Sequence, residues 1–136
     1  MSDPFPGPAP DAPTGLIELT LQGSAVTATP VTPSVRVNGY PMRVAYGLNR
    51  IAMPPGRAFI EVDCQWMLTY GKASIDVEVP ERGSVPVFYA PPYHQFTHGA
   101  IGHQPQKRPG LAGVFGIIGG IVVIITLLVM IPVLLL

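Results

Sequence analysis

Three histidines, His94, His98 and His103, crowd the stretch YHQFTHGAIGH. Neutral imidazoles are common metal ligands, and His94 and His98, at i and i+4, would share one face of a helix, so zinc or copper binding is the chemistry this spacing allows. A structural zinc site needs a fourth ligand and a catalytic one a third at matching geometry. Pro91, Pro92, Gly99 and Gly102 oppose a stable helix here. The competing reading is a solvated juxtamembrane linker whose histidines and aromatic rings touch lipid headgroups. The lone cysteine, Cys64, falls on the apolar face of an alternating run, where burial raises a thiol's pKa and lowers its reactivity, so core packing is expected. Ser24, Ser34, Ser74 and Ser84 stand in no GxSxG context, and the chain carries no phosphate-binding loop, dinucleotide fingerprint or metal-type carboxylate cluster. With no nucleophile paired to a base, the sequence predicts a protein that is not an enzyme and uses no cofactor.

The elements that would position these groups are short strands. Ile17, Leu19 and Leu21 alternate with Glu18, Thr20 and Gln22, and the alternation returns around Arg36, around Arg43 and over Asn49 to Met53. The longest run, RAFIEVDCQW, puts Ala58, Ile60, Val62, Cys64 and Trp66 on one face and Phe59, Glu61, Asp63 and Gln65 on the other. Ala73, Ile75, Val77 and Val79 continue the pattern, as do Val85, Val87 and Tyr89, where Pro86 predicts an edge strand because it cannot donate to a ladder. Asn38-Gly39 predicts a tight hairpin, Pro54-Pro55-Gly56 opens the long strand, and Tyr70-Gly71 and Arg82-Gly83 are expected to separate the strands that follow. About six or seven such strands make an antiparallel β-sandwich or barrel-like sheet over residues 14–90. Ahead of it, residues 1–13 are proline-rich and expected to be disordered.

The stretch SVRVNGYPMRVAYGLNRIAMPPGRAFIEV resembles the PEGA-type modules of bacterial envelope proteins, with PPGRA standing in place of the Pro-Glu-Gly-Ala signature. The resemblance implies a small immunoglobulin-like sandwich that binds rather than catalyses. The whole layout, with its APPYHQF run, Lys-Arg stop and terminal apolar segment, resembles uncharacterised conserved transmembrane proteins of mycobacteria and their actinobacterial relatives. No site residue carries over from that group.

From Leu111 to Leu136 no side chain is ionisable, and the single polar one, Thr126, can bond a backbone carbonyl one turn earlier. A span needs ~20 apolar residues to cross ~30 Å of hydrocarbon, so residues 111–136 predict one transmembrane α-helix, joined to the sandwich by a juxtamembrane linker over 91–110. Ala112, Gly116 and Gly120 recur every four residues and form a small-residue stripe on which another helix could pack. Lys107 and Arg108 precede the span, so the head is expected in the cytoplasm, with Tyr93 and Phe96 as interfacial anchors. The N-terminal MSDPF, with no basic or apolar region of signal-peptide type, and the absence of a disulfide partner for Cys64 point the same way.

Eight basic residues balance eight acidic ones, which leaves no electrostatic footprint for nucleic acid. The expected function is therefore a non-enzymatic, tail-anchored, single-pass adaptor or accessory subunit of the plasma membrane, partnered by the bilayer and by an integral membrane protein complex or by itself. A ligand-binding module for a glycan or lipid headgroup is the alternative, and a metal-binding protein using His94, His98 and His103 the third reading.

Overall fold

The computed structural model describes residues 13–136, so all of the expected leader except Pro13 lies outside the described residues. The strands are β1 (Gly15–Leu21), β2 (Ser34–Val37), β3 (Tyr40–Met42), β4 (Gly47–Met53), β5 (Gly56–Trp66), β6 (Leu68–Val79), β7 (Ser84–Ala90) and β8 (Ala100–Gly102). A single helix, α1 (Leu111–Leu135), follows. The strands form two four-stranded sheets, ordered β4-β1-β7-β8 and β3-β2-β5-β6, giving the mainly β sandwich with one C-terminal apolar helix that the alternation predicts. Ile17, Leu19 and Leu21 of β1, Val35 and Val37 of β2, Ile60 and Val62 of β5 and Val87 and Tyr89 of β7 are buried between the sheets. Period-two alternation does this directly, since every second side chain points inward. Every ladder is antiparallel except β1–β7, which is parallel.

Asn38 and Gly39 both adopt positive φ and turn β2 into β3, while the Asn38 side-chain oxygen accepts the Phe59 amide at 2.8 Å. Three other local readings are corrected. Tyr70-Gly71 does not separate strands: the β5–β6 hairpin turns at Met67, and Gly71, with φ +65°, lies inside β6 where Gly71 and Lys72 together oppose Asp63 in a bulge. Trp66 is not inward but 45% exposed. Its strand phase is right, yet β2 reaches only as far as Asp63, so the hairpin projects past the core that Trp66 would have entered. Asp63, expected in solvent, is on the outer face but only 5% exposed.

Pro86 is not on an outermost strand, because β8 adds to the sheet beyond β7. That strand covers only Phe88 to Ala90, so at Pro86 itself the outer side still carries no ladder partner. The stretch 91–110, read from the sequence as a linker, holds β8 and is tied to the head along its length. Gln106 and Gln22 exchange two hydrogen bonds, at 2.7 and 2.8 Å, and the Tyr93 amide donates to the Pro109 carbonyl at 2.9 Å. Two backbone bonds, Gly71 to Thr97 and Gly99 to Lys72, join β6 to this stretch and close one side of the sandwich.

The helix is long and apolar enough to cross a membrane, and none of its residues is buried against the protein. At ~1.5 Å per residue it spans ~37 Å, more than the ~30 Å hydrocarbon layer, so it is long enough to cross with tilt. Thr126 donates to the Val122 carbonyl at 2.8 Å, as its position predicts, and Pro132 falls in the last turns, where few helical bonds remain to be lost. These features fit a single-pass, membrane-anchored protein.

Candidate functional site

The outer face of the β3-β2-β5-β6 sheet carries the densest group of charged side chains. Register puts Arg36 of β2 opposite Glu61 of β5 and diagonal to Asp63. The guanidinium uses both relations, donating from Nε to Glu61 at 3.1 Å and from Nη2 to Asp63 Oδ2 at 3.4 Å. The bulge in β6 brings Lys72 to the same area, and with Phe59, Thr69 and Ser74 these groups line an open recess of about 430 Å³. The other Asp63 oxygen, Oδ1, is buried without a protein hydrogen-bond partner. The accessible polar groups of the recess, Arg36, Glu61 and Lys72, can meet a polar or charged group, but the recess holds no nucleophile set beside a base.

Beneath it, Cys64 and Tyr89 are both fully buried. The Tyr89 hydroxyl donates to the Gly71 carbonyl at 2.6 Å, which leaves its oxygen to accept from the Cys64 thiol at 3.2 Å. Burial raises the pKa of both groups, that of Tyr89 far above its ordinary value, so the thiol stays protonated and inert. The expectation of a packed cysteine is met, with a hydrogen bond that alternation could not foretell. A side chain at Gly71 would strike Pro92 and the Tyr89 hydroxyl, which explains why this bulge carries glycine.

The histidines are held apart in purpose. His94 Nδ1 accepts the Phe96 amide at 3.1 Å, His98 Nδ1 meets the Gly99 carbonyl at 2.8 Å, and His103 Nδ1 meets the Pro86 carbonyl at 2.8 Å. Residues 93–97 form bends and turns and His98 lies outside any helix, so the i, i+4 argument loses its basis. No group of three or more histidine, cysteine or carboxylate side chains among the described residues could hold a metal ion.

Of the expected membrane anchors, Arg108 has a structural task. It donates to the carbonyls of Pro91 at 3.0 Å, Pro92 at 3.1 Å and Thr27 at 2.7 Å, and its guanidinium lies 4.2 Å from the Tyr93 ring centroid. It thereby clamps the start of α1 to two loops of the head. Lys107 is exposed, as are Tyr93 and Phe96. A side chain at Gly113 would collide with His94, so that side of the helix start rests on the head. The stripe of Ala112, Gly116 and Gly120 is exposed, and added side chains at Gly116 and Gly120 would meet nothing.

The Arg36–Glu61–Asp63 group was open to sequence reasoning only as outward-phased polar residues on two strands. Its assembly with Lys72 depends on the bulge, for which Gly71 was the sole signal. No protein-family model matches the chain, and no curated protein matches it.

Proposed function

We propose that the protein is a non-enzymatic membrane adaptor or accessory subunit, whose β head works at the cytoplasmic face of the plasma membrane while α1 holds it there. The observation that carries this reading is the join between the two parts: Arg108 and the Gln22–Gln106 pair fasten the helix start to the head, so a partner bound in the membrane and one bound at the head would be held in fixed relation. A flexible tether would suit a passive anchor better. The resemblance to PEGA-type modules supports a binding role over a catalytic one, and Lys107 and Arg108 support the cytoplasmic side.

In this role the exposed stripe of Ala112, Gly116 and Gly120 offers a second helix close approach, whether from an integral membrane complex or from another copy. Purification in mild detergent tests the proposal. The wild-type chain should bring down a membrane protein in stoichiometric amount or migrate as a dimer on blue-native gels. Gly116→Ile and Gly120→Ile should release it without loss of membrane insertion, whereas Val122→Ile should not. A chain that purifies alone and as a monomer refutes the adaptor reading.

The open recess lined by Arg36, Glu61 and Lys72 favours a second reading, a module that binds a hydroxyl-bearing ligand such as a glycan or lipid headgroup. Lys72→Ala would then weaken ligand binding while leaving complex formation unchanged.

A further inference from the structure

Most of the large apolar side chains exposed by the head gather at one end of the sandwich. The β5–β6 hairpin turns there through Trp66, Met67 and Leu68, exposed by 45, 88 and 52%. Phe96 is 76% exposed and Val26 is 94% exposed on neighbouring loops. The strand registers put these segments together: β1 ends beside the end of β7, and β2 begins opposite Asp63, just before the hairpin turn.

The same end releases the helix. Thr97 lies between the two features: its carbonyl accepts the Gly71 amide at 3.1 Å at the base of the hairpin, and its methyl group would touch a side chain placed at Gly110, the residue before α1. From Gly71 to Met67 the strand extends ~13 Å, which exceeds a headgroup layer of ~5–7 Å. Charge agrees with this placement. Loop 22–33 has no ionisable residue, the carboxylate nearest the tip along β5 and β6 is the buried Asp63, and the exposed cations Lys72 and Lys107 are on this side. Glu78 and Glu81 lie toward the opposite end, where β6 passes into β7.

The turn residue is itself informative. Met67 holds φ +65°, a conformation that glycine, asparagine or aspartate adopts far more readily. A hairpin tip facing water has no use for an apolar side chain in a strained backbone position.

We infer that the Trp66-Met67-Leu68 tip, flanked by Phe96 and Val26, is a second membrane contact that dips into the lipid interface and fixes the orientation of the head on the bilayer. The inference rests on α1 being a membrane span. Tryptophan suits the headgroup level, where its ring is half in hydrocarbon and its N–H can reach water or phosphate. With the helix as one attachment and the hairpin as another, the head cannot rotate freely, and the outer sheet face that carries Arg36 and Asp63 is presented at a set angle.

Trp66 is the only tryptophan in the chain, so its fluorescence reports on the tip. The full chain is reconstituted into vesicles of phosphatidylcholine and phosphatidylglycerol, with and without bromine on the acyl chains. The expected result is a blue-shifted emission that brominated lipid quenches, and Met67→Asp, which keeps a residue tolerant of positive φ, should abolish that quenching. A second chain, Trp66→Phe with Phe115→Trp, reports on the helix. Quenching of the Phe115→Trp reporter with none at Trp66 overturns the tip contact and leaves the span intact. Loss of quenching at both positions overturns the span reading and the tip contact with it. A blue shift at Trp66 that brominated lipid does not quench assigns the tip to protein and overturns the lipid contact.

Discussion

Tyr89 ties three elements together through one oxygen. Its hydroxyl donates to Gly71 in β6 and accepts from Cys64 in β5 while the ring belongs to β7. Tyr89→Phe leaves the Gly71 carbonyl buried without a partner, a loss expected to cost about 1–3 kcal/mol in denaturant unfolding followed by circular dichroism. The same group makes stability depend on pH. Cys64 and Tyr89 are held neutral in the fold, with pKa values raised above those of the unfolded chain mainly by burial. Their contribution is complete below the ordinary thiol value of 9.0 and is lost as pH rises toward the raised folded values, since the unfolded chain then ionises first. The unfolding midpoint should therefore be level through neutral pH and fall in alkali, and Cys64→Ala should make the first part of that fall shallower. An unchanged alkaline slope in Cys64→Ala would mean that the thiol takes no part.

At the scale of elements, β6 shows alternation deciding burial. Val77 is 3% exposed between the sheets, whereas Asp76 beside it faces water and only meets Arg57 at 4.0 Å. Val77→Asp buries an unpaired charge and should unfold the head, a loss of more than about 4 kcal/mol. Asp76→Ser breaks only an exposed ion pair and should change stability by less than about 0.5 kcal/mol. Comparable losses in the two variants would show that β6 sits in another register. The hairpin tip lies beyond this logic, because Trp66 keeps the inward phase of β5 and still reaches solvent where β2 no longer accompanies it.

For the whole molecule, the side of the membrane is the outcome most open to measurement. Cys64 cannot report it, being buried and protonated, but Glu81 is exposed in the turn far from the helix start. In a Cys64→Ala background, Glu81→Cys should resist a membrane-impermeant maleimide in intact cells and react once they are permeabilised. Reaction in sealed cells would place the head outside and leave Lys107 and Arg108 as anchors without a topological role. Arg108 already has another use, since three carbonyls from two loops converge on its guanidinium.

Sequence alone determined the two materials of this protein. Period-two alternation specifies which side chains face inward, and an apolar run longer than a bilayer is thick specifies the helix, because both are local properties of chemistry and spacing. Asn38-Gly39 was legible for the same reason, as positive φ at both positions favours those residue types. What only the tertiary structure decided depends on contacts distant in the chain. The parallel β1–β7 pairing, the bulge at Gly71, the recess that joins Arg36 to Asp63 and Lys72, and the fastening of Gln106 and Arg108 to loops some eighty residues earlier all arise from chain crossings that no local pattern records. The end of the sandwich where an exposed hairpin tip and the first turn of the helix meet is likewise set by long-range pairing, since β2 stops opposite Asp63 while β5 and β6 run on together to Trp66 and Leu68.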